Sequence, residues 1–140
     1  RFLLLTLAIT PLNRFTPIQW IPLRRTLGLC ALTYALLHVF SYTFFYLGFD
    51  LSLLTRELVK RPYIVVGSIS LTVLVLLGVT STNSWQRRLG KRWKQLHKLV
   101  YFATVAVLVH FVWQIKAGVG AVPWYALIFI VLMLLRTKAR

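Results

Sequence analysis

The sequence predicts an all-α, multi-pass transmembrane helix bundle, and three observations carry that prediction. Of its 140 residues 59% are hydrophobic and the mean hydropathy is +0.75, too apolar for an ordinary water-soluble domain of this size. The apolar residues come in blocks, which points to spanning helices instead of a single buried core. Seventeen Lys and Arg stand against only Asp50 and Glu57, and they gather at the ends of those blocks, as membrane orientation requires. A formal charge of +15 also suits nucleic acid. No stacking or base-reading module accompanies it, and nucleic-acid binding is set aside.

Taken in order, residues 2–10 read as the last half of a helix, ended at Thr10-Pro11 because proline cannot continue the ladder. The apolar run 2–9 covers only about 12 Å as helix. With no signal-peptide pattern after Arg1, the sequence is expected to be an excerpt with at least one helix before it. Residues 11–25 hold Asn13, Arg14, Pro17, Pro22, Arg24 and Arg25 and are expected to form a polar, proline-broken connection, with Trp20 at a headgroup boundary.

The first full helix is expected over 26–47, an uncharged run long enough to span. A connection over 48–61 carries Asp50, Arg56, Glu57, Lys60 and Arg61. Pro62 then opens a second helix over 62–79, since proline suits a first turn, and Thr80-Ser81-Thr82-Asn83-Ser84 closes it. The most basic loop follows, with Arg87, Arg88, Lys91, Arg92, Lys94 and Lys98. A third helix is expected over 96–115, a turn with Gly118 and Gly120 over 116–123, and a fourth helix over 124–135. The expectation is thus four full helices and a partial one at the N-terminus.

Charge sets the topology. Arg14, Arg24 and Arg25 precede the first full helix, the six cations of the basic loop lie between the second and third, and Arg136, Lys138 and Arg140 follow the fourth. The other two connections hold Arg56, Lys60, Arg61 and Lys116, together with both acids. The richer set belongs in the cytoplasm, so the first and third helices both run outward.

Two of the three histidines then fall at matched depth. His38 lies fourteen residues after Arg24, and His110 thirteen after His97, about 19 to 21 Å from the basic edge. Imidazoles at lipid depth need partners. Two of them at one level on parallel helices are what bis-histidine ligation of a haem requires, with Phe40, Val107 and Phe111 as apolar walls. The competing reading is a pair of hydrogen-bonded structural histidines.

His97 stands about 19.5 Å lower and cannot bind the same iron. It suits a second haem, but the matching position on the first helix is near Arg24, and thirteen residues turn an ideal helix by about 220°. His97 reads equally well as a plain residue of the cytoplasmic edge. The cluster Arg87, Arg88, Lys91, Arg92 and Lys94 is read either as a positive-inside anchor or as a docking patch for an acidic electron donor.

Several chemistries find no support. Zinc wants four ligands, and neither Cys30 nor an acid stands at the depth of His38 and His110. The lone Cys30 reads as a small apolar core residue. No phosphate loop, dinucleotide fingerprint or nucleophile triad is visible, so reducing power is expected from another protein. Trp85, Trp93, Trp113 and Trp124 read as interface belt residues.

These residues resemble a known family. The run 24–29 with Tyr34 and His38, then Arg61-Pro62-Tyr63, Thr80-Ser81-Thr82, and Leu89-Gly90-Lys91-Arg92-Trp93-Lys94-Gln95-Leu96-His97-Lys98-Leu99-Val100-Tyr101 with His110, are similar to the MsrQ family. Those are haem-binding membrane subunits of the bacterial methionine sulfoxide reductase system, within the ferric reductase and NADPH oxidase transmembrane superfamily. The resemblance covers 1–140 as one ferric reductase-like domain. It implies b-type haem at His38, His97 and His110, one or two haems in all, and a bacterial inner-membrane location. It further implies a cytoplasmic flavin reductase or the quinone pool as donor, and a periplasmic molybdenum-containing methionine sulfoxide reductase as acceptor. The oxidase relatives carry two histidines on the first helix, where this chain has Arg24 near the lower position, so their haem count does not carry over. A bound FMN is compatible with the resemblance but traces to no residue.

The expected function is therefore transmembrane electron transfer, by a subunit with no complete active site of its own. The alternatives are a ferric-chelate reductase, or a haem-free transporter or scaffold.

Overall fold

The computed structural model describes residues 1–15, 21–114 and 122–137, and every regular element among them is helical. In chain order these are α1 (Phe2–Phe15), α2 (Ile21–Phe45), α3 (Leu51–Lys60), α4 (Pro62–Val79), α5 (Asn83–Leu89), α6 (Lys91–Leu96), α7 (Leu99–Gln114) and α8 (Val122–Thr137). Three stretches are long and apolar enough to cross a membrane: Pro22–Phe45, Pro62–Val79, and Lys91–Gln114, which joins α6 to α7. The fourth expected span lies in α8, whose sixteen residues fall just under the about 17 a crossing needs. Large apolar side chains such as Leu36, Leu37, Phe40, Phe44, Val105 and Ile130 stand exposed, as suits a lipid-facing surface.

Five expectations need correcting. α1 does not stop at Thr10 but runs through Pro11 to Phe15. A proline costs one intrahelical bond, and apolar packing around a buried ring tolerates that loss. α2 begins at Ile21, with Pro22 in its first turn, so that proline opens a helix where it was expected to break one.

The connection 48–61 contains α3, started by the Asp50 carboxylate accepting from the Ser52 and Leu53 amides at 2.7 and 3.4 Å. The basic loop is likewise folded, into α5 and α6, and a turn at His97-Lys98 breaks the expected helix over 96–115. Trp20, Ile115, Lys116, Gly118, Gly120 and the tail 138–140 lie outside the described residues.

The chain separates into two compact units, residues 1–31 with 117–140, and residues 32–116. In the first, α1 packs on α8, with Leu7 fully buried and Leu4, Ile9 and Leu132 nearly so. Arg1 donates from Nε to the Tyr125 hydroxyl at 2.8 Å.

The second unit is built on α4 against α7. Small residues line much of the contact, Gly67 and Ser70 on α4 and Ala103, Thr104 and Ala106 on α7, alongside the buried Leu74, Leu77 and Val100. Helices in lipid gain little from hiding apolar surface, so close backbone approach through small side chains is what holds them. Ser68, Ser70, Thr72 and Thr104 return their hydroxyl hydrogens to carbonyls four residues back, which leaves no orphan donor on these side chains. Tyr63 at the start of α4 meets His110 near the end of α7, and Thr80 at the close of α4 meets Trp93 before α7 begins. The two helices are therefore antiparallel.

Candidate functional site

His38 stands on α2 and His110 on α7, both in the second unit. Their ring centroids are 6.4 Å apart and their planes are inclined at 82°. His110 is half-buried and His38 exposed. The His38 ring has no hydrogen-bond partner among the described residues.

His110 is held differently. Its Nδ1 lies 2.6 Å from the carbonyl oxygen of Tyr63, in the first turn of α4. A carbonyl only accepts, so Nδ1 carries a proton, and it is the neutral ring that offers an Nε2 lone pair on its other side. The Tyr63 ring also lies edge-on to the imidazole, 5.9 Å between centroids. Gly67, one turn further along α4, clears the space: a Cβ built there would stand 2.7 Å from His110 Nδ1 and 2.8 Å from Cε1.

This arrangement suits two imidazoles sharing one metal atom. Two metal–nitrogen bonds of about 2 Å, plus the half-width of each ring, separate the ring centres by roughly 6 Å. Ligating histidines almost always donate their second N–H to a carbonyl, a carboxylate or water, as His110 does. The residues present therefore fit an iron held between α2 and α7.

His97 sits in the turn between α6 and α7. Its ring stacks on Trp93, 4.0 Å between centroids at 28°, and its Nδ1 donates to the Trp93 carbonyl at 3.2 Å. Trp93 is itself tied to α4 by its Nε1, which donates to the Thr80 carbonyl at 2.8 Å. The expected belt residue is thus a strut between the basic segment and α4. Arg87 and Arg88 on α5, and Lys91, Arg92 and Lys94 on α6, are all exposed. The Arg88 guanidinium lies 5.3 Å from the Trp85 ring centre.

Sequence reasoning singled out the histidines but missed what surrounds them. The Tyr63 carbonyl is a backbone atom and leaves no trace in residue types. Gly67 did leave one, since a glycine inside an apolar helix costs stability unless something must come close. A polar chain beside Tyr63 was also missed. Arg61 donates to the Tyr63 hydroxyl at 3.0 Å and pairs with Glu57 at 2.7 Å, and Tyr42 on α2 donates to the same carboxylate at 3.3 Å. Charges four apart at positions 57 and 61 were its signal.

A family model described as a ferric reductase-like transmembrane component matches residues 1–109. Among curated proteins, the protein-methionine-sulfoxide reductase heme-binding subunit MsrQ of Brucella ovis is 44% identical over 136 residues. That alignment takes in 97% of this chain and 62% of the relative, so the chain spans less than two thirds of the relative's length. No solved structure matches. With most of its length matched by the family model, this chain belongs to the ferric reductase-like transmembrane family.

Proposed function

We propose that this chain carries electrons across a bacterial inner membrane through b-type haem, from a cytoplasmic flavin reductase or quinol to a periplasmic molybdenum-containing methionine sulfoxide reductase. The observation that carries the reading is the His38–His110 pair, 6.4 Å between ring centroids on two helical stretches long and apolar enough to cross a membrane. A relative named for haem binding in the methionine sulfoxide reductase system, similar over nearly the whole chain, supports it.

In this reading His38 and His110 would together hold one haem, which when bound would supply one-electron chemistry. His110 keeps its Nδ1 proton on the Tyr63 carbonyl and presents Nε2; His38 presents its ring from α2. The exposed apolar side chains of the spans keep water from the site and the charge-bearing loops at the two faces. His97, stacked on Trp93 beside the basic helices, serves the donor side, either by holding a second haem or by lining the route inward. The loops before α2 and between α4 and α7 lie in the cytoplasm, so electrons enter beside His97 and leave at the level of His110. No residue here is assigned to FMN.

The test is a reduced-minus-oxidised spectrum of the purified protein, followed by mixing the reduced protein with the periplasmic reductase and methionine sulfoxide. A b-type Soret and α band, then reoxidation that depends on both additions, is the expected result. Absence of the bands removes the haem. Bands reoxidised only by ferric chelates would instead make the protein a ferric-chelate reductase.

A further inference from the structure

We propose that the Tyr63 carbonyl and Gly67 together form a slot in α4 that orients His110 and sets the electron affinity of the iron it binds. The proposal rests on His110 being an axial ligand, and it goes further by naming the residues that position it.

Three observations meet at this point. The Nδ1–carbonyl contact of 2.6 Å is short for an N–H···O hydrogen bond. The carbonyl comes from the neighbouring helix, forty-seven positions away in sequence, so the contact exists only when α4 and α7 are packed. And the ring reaches that carbonyl only because residue 67 lacks a Cβ, which would otherwise stand 2.7 Å from Nδ1 and 2.8 Å from Cε1. Both atoms would lie well inside van der Waals contact, so a side chain at residue 67 would force the ring to shift.

Helix geometry joins the two residues. In an α-helix the carbonyl of residue 63 accepts from the N–H of residue 67. The glycine therefore lies directly over the carbonyl that His110 uses, and any larger residue would cover it. The carbonyl has two lone pairs, so it can serve both donors. Ser70, Ala103 and Ala106 continue the small-residue contact along the same helix pair and keep the approach close.

The consequence is electronic as well as positional. A carbonyl accepting the Nδ1 proton makes Nε2 a more basic ligand. A more basic ligand favours the ferric over the ferrous ion and lowers the midpoint potential. Among the described residues, the carbonyl contact is made by His110. Gly67 and Tyr63 are positioning residues: they touch the ligand, not the iron.

The test uses two variants of the full chain, in detergent, each checked to elute as the wild type does. In Gly67→Ala the ring is pushed off the carbonyl. A tenfold loss of ferric-over-ferrous preference raises the midpoint potential by about 59 mV for one electron, with an altered low-spin electron paramagnetic resonance signal. An unchanged potential and signal overturn the proposal.

Should Gly67→Ala fail to fold, His110→Gly decides. Supplied imidazole can ligate iron and still donate to the Tyr63 carbonyl, whereas 1-methylimidazole can ligate but has no N–H to give. Imidazole should restore the low-spin spectrum at least tenfold more tightly, and with the lower potential. Equal rescue by the two, or rescue by neither, overturns the proposal. A His110→Gly protein that keeps its normal spectrum with no imidazole added fails differently: His110 is then not a ligand, and the axial pairing under the proposed function fails with it.

Discussion

At the residue scale, Trp93 and Asp50 show how single side chains fix the ends of helices in this protein. The Trp93 indole donates to the Thr80 carbonyl and stacks on His97, so it ties the basic segment to α4 and orients the histidine at once. Trp93→Phe keeps a stacking ring but leaves the part-buried carbonyl unpaired. That costs about 1–2 kcal/mol, to be read as a lower thermal midpoint, and a midpoint equal to wild type would show the strut to be ornamental. Asp50 starts α3, and hydrogen bonding from Ser52, then from the Leu53 amide, holds its carboxyl below the usual carboxylate range. Its folded pKa is thus lower than its unfolded one. The cap is fully in force above the unfolded value of about 4 and is lost as pH falls through the folded value. Amide exchange at Ser52 and Leu53 should quicken over that acid window, and Asp50→Asn, which keeps a neutral acceptor, should abolish the pH dependence without melting α3. The rise per residue of a helix led to the pairing of His38 with His110, whose ring centroids stand 6.4 Å apart; the orientation of His110 was not legible, because a backbone carbonyl sets it.

At the element scale, the spans were legible and the short helices were not. Long apolar runs announce themselves by composition, and residues 62–79 were bounded correctly because Pro62 and the Thr80–Ser84 cluster punctuate both ends. α3, α5 and α6 lie in charged stretches of six to ten residues, where length alone argues for a loop. Their signals were local: Asp50 as a cap, the Glu57–Arg61 pair, and Gly90 at φ 52 dividing α5 from α6. The break at His97-Lys98 answers the awkward azimuth between His97 and His110, because one uninterrupted helix no longer fixes it. The packing of α4 on α7 yields a further prediction. Ala103 is fully buried there, so Ala103→Leu should overpack the contact and cost about 1–3 kcal/mol. Haem occupancy should fall with thermal stability. Occupancy and midpoint both unchanged would mean that close approach of these helices is not what holds the site.

At the scale of the whole molecule, charge placement gives the account a direction. Arg87, Arg88, Lys91, Arg92 and Lys94 are exposed on α5 and α6, next to the segment carrying His97. A donor with an acidic face would be drawn there, and its encounter rate should fall as salt rises. Changing Arg88, Lys91 and Arg92 to Glu should slow haem reduction by the donor while leaving oxidation by the periplasmic acceptor nearly intact. A periplasmic reporter placed in the 116–123 segment first establishes that orientation is unchanged, since in the proposed topology these cations also orient the chain. If orientation holds and donor reduction keeps its rate and salt dependence, the cluster is only an anchor. Replacing His97 should likewise slow reduction from the cytoplasmic side more than it disturbs the spectrum of the outer haem. All of this depends on one centre. The most direct test is the low-spin b-type spectrum of His38→Ala and His110→Ala, each in protein that still inserts and elutes normally. The account predicts that either substitution alone abolishes the spectrum of the shared haem; a normal low-spin spectrum in both single variants would contradict it.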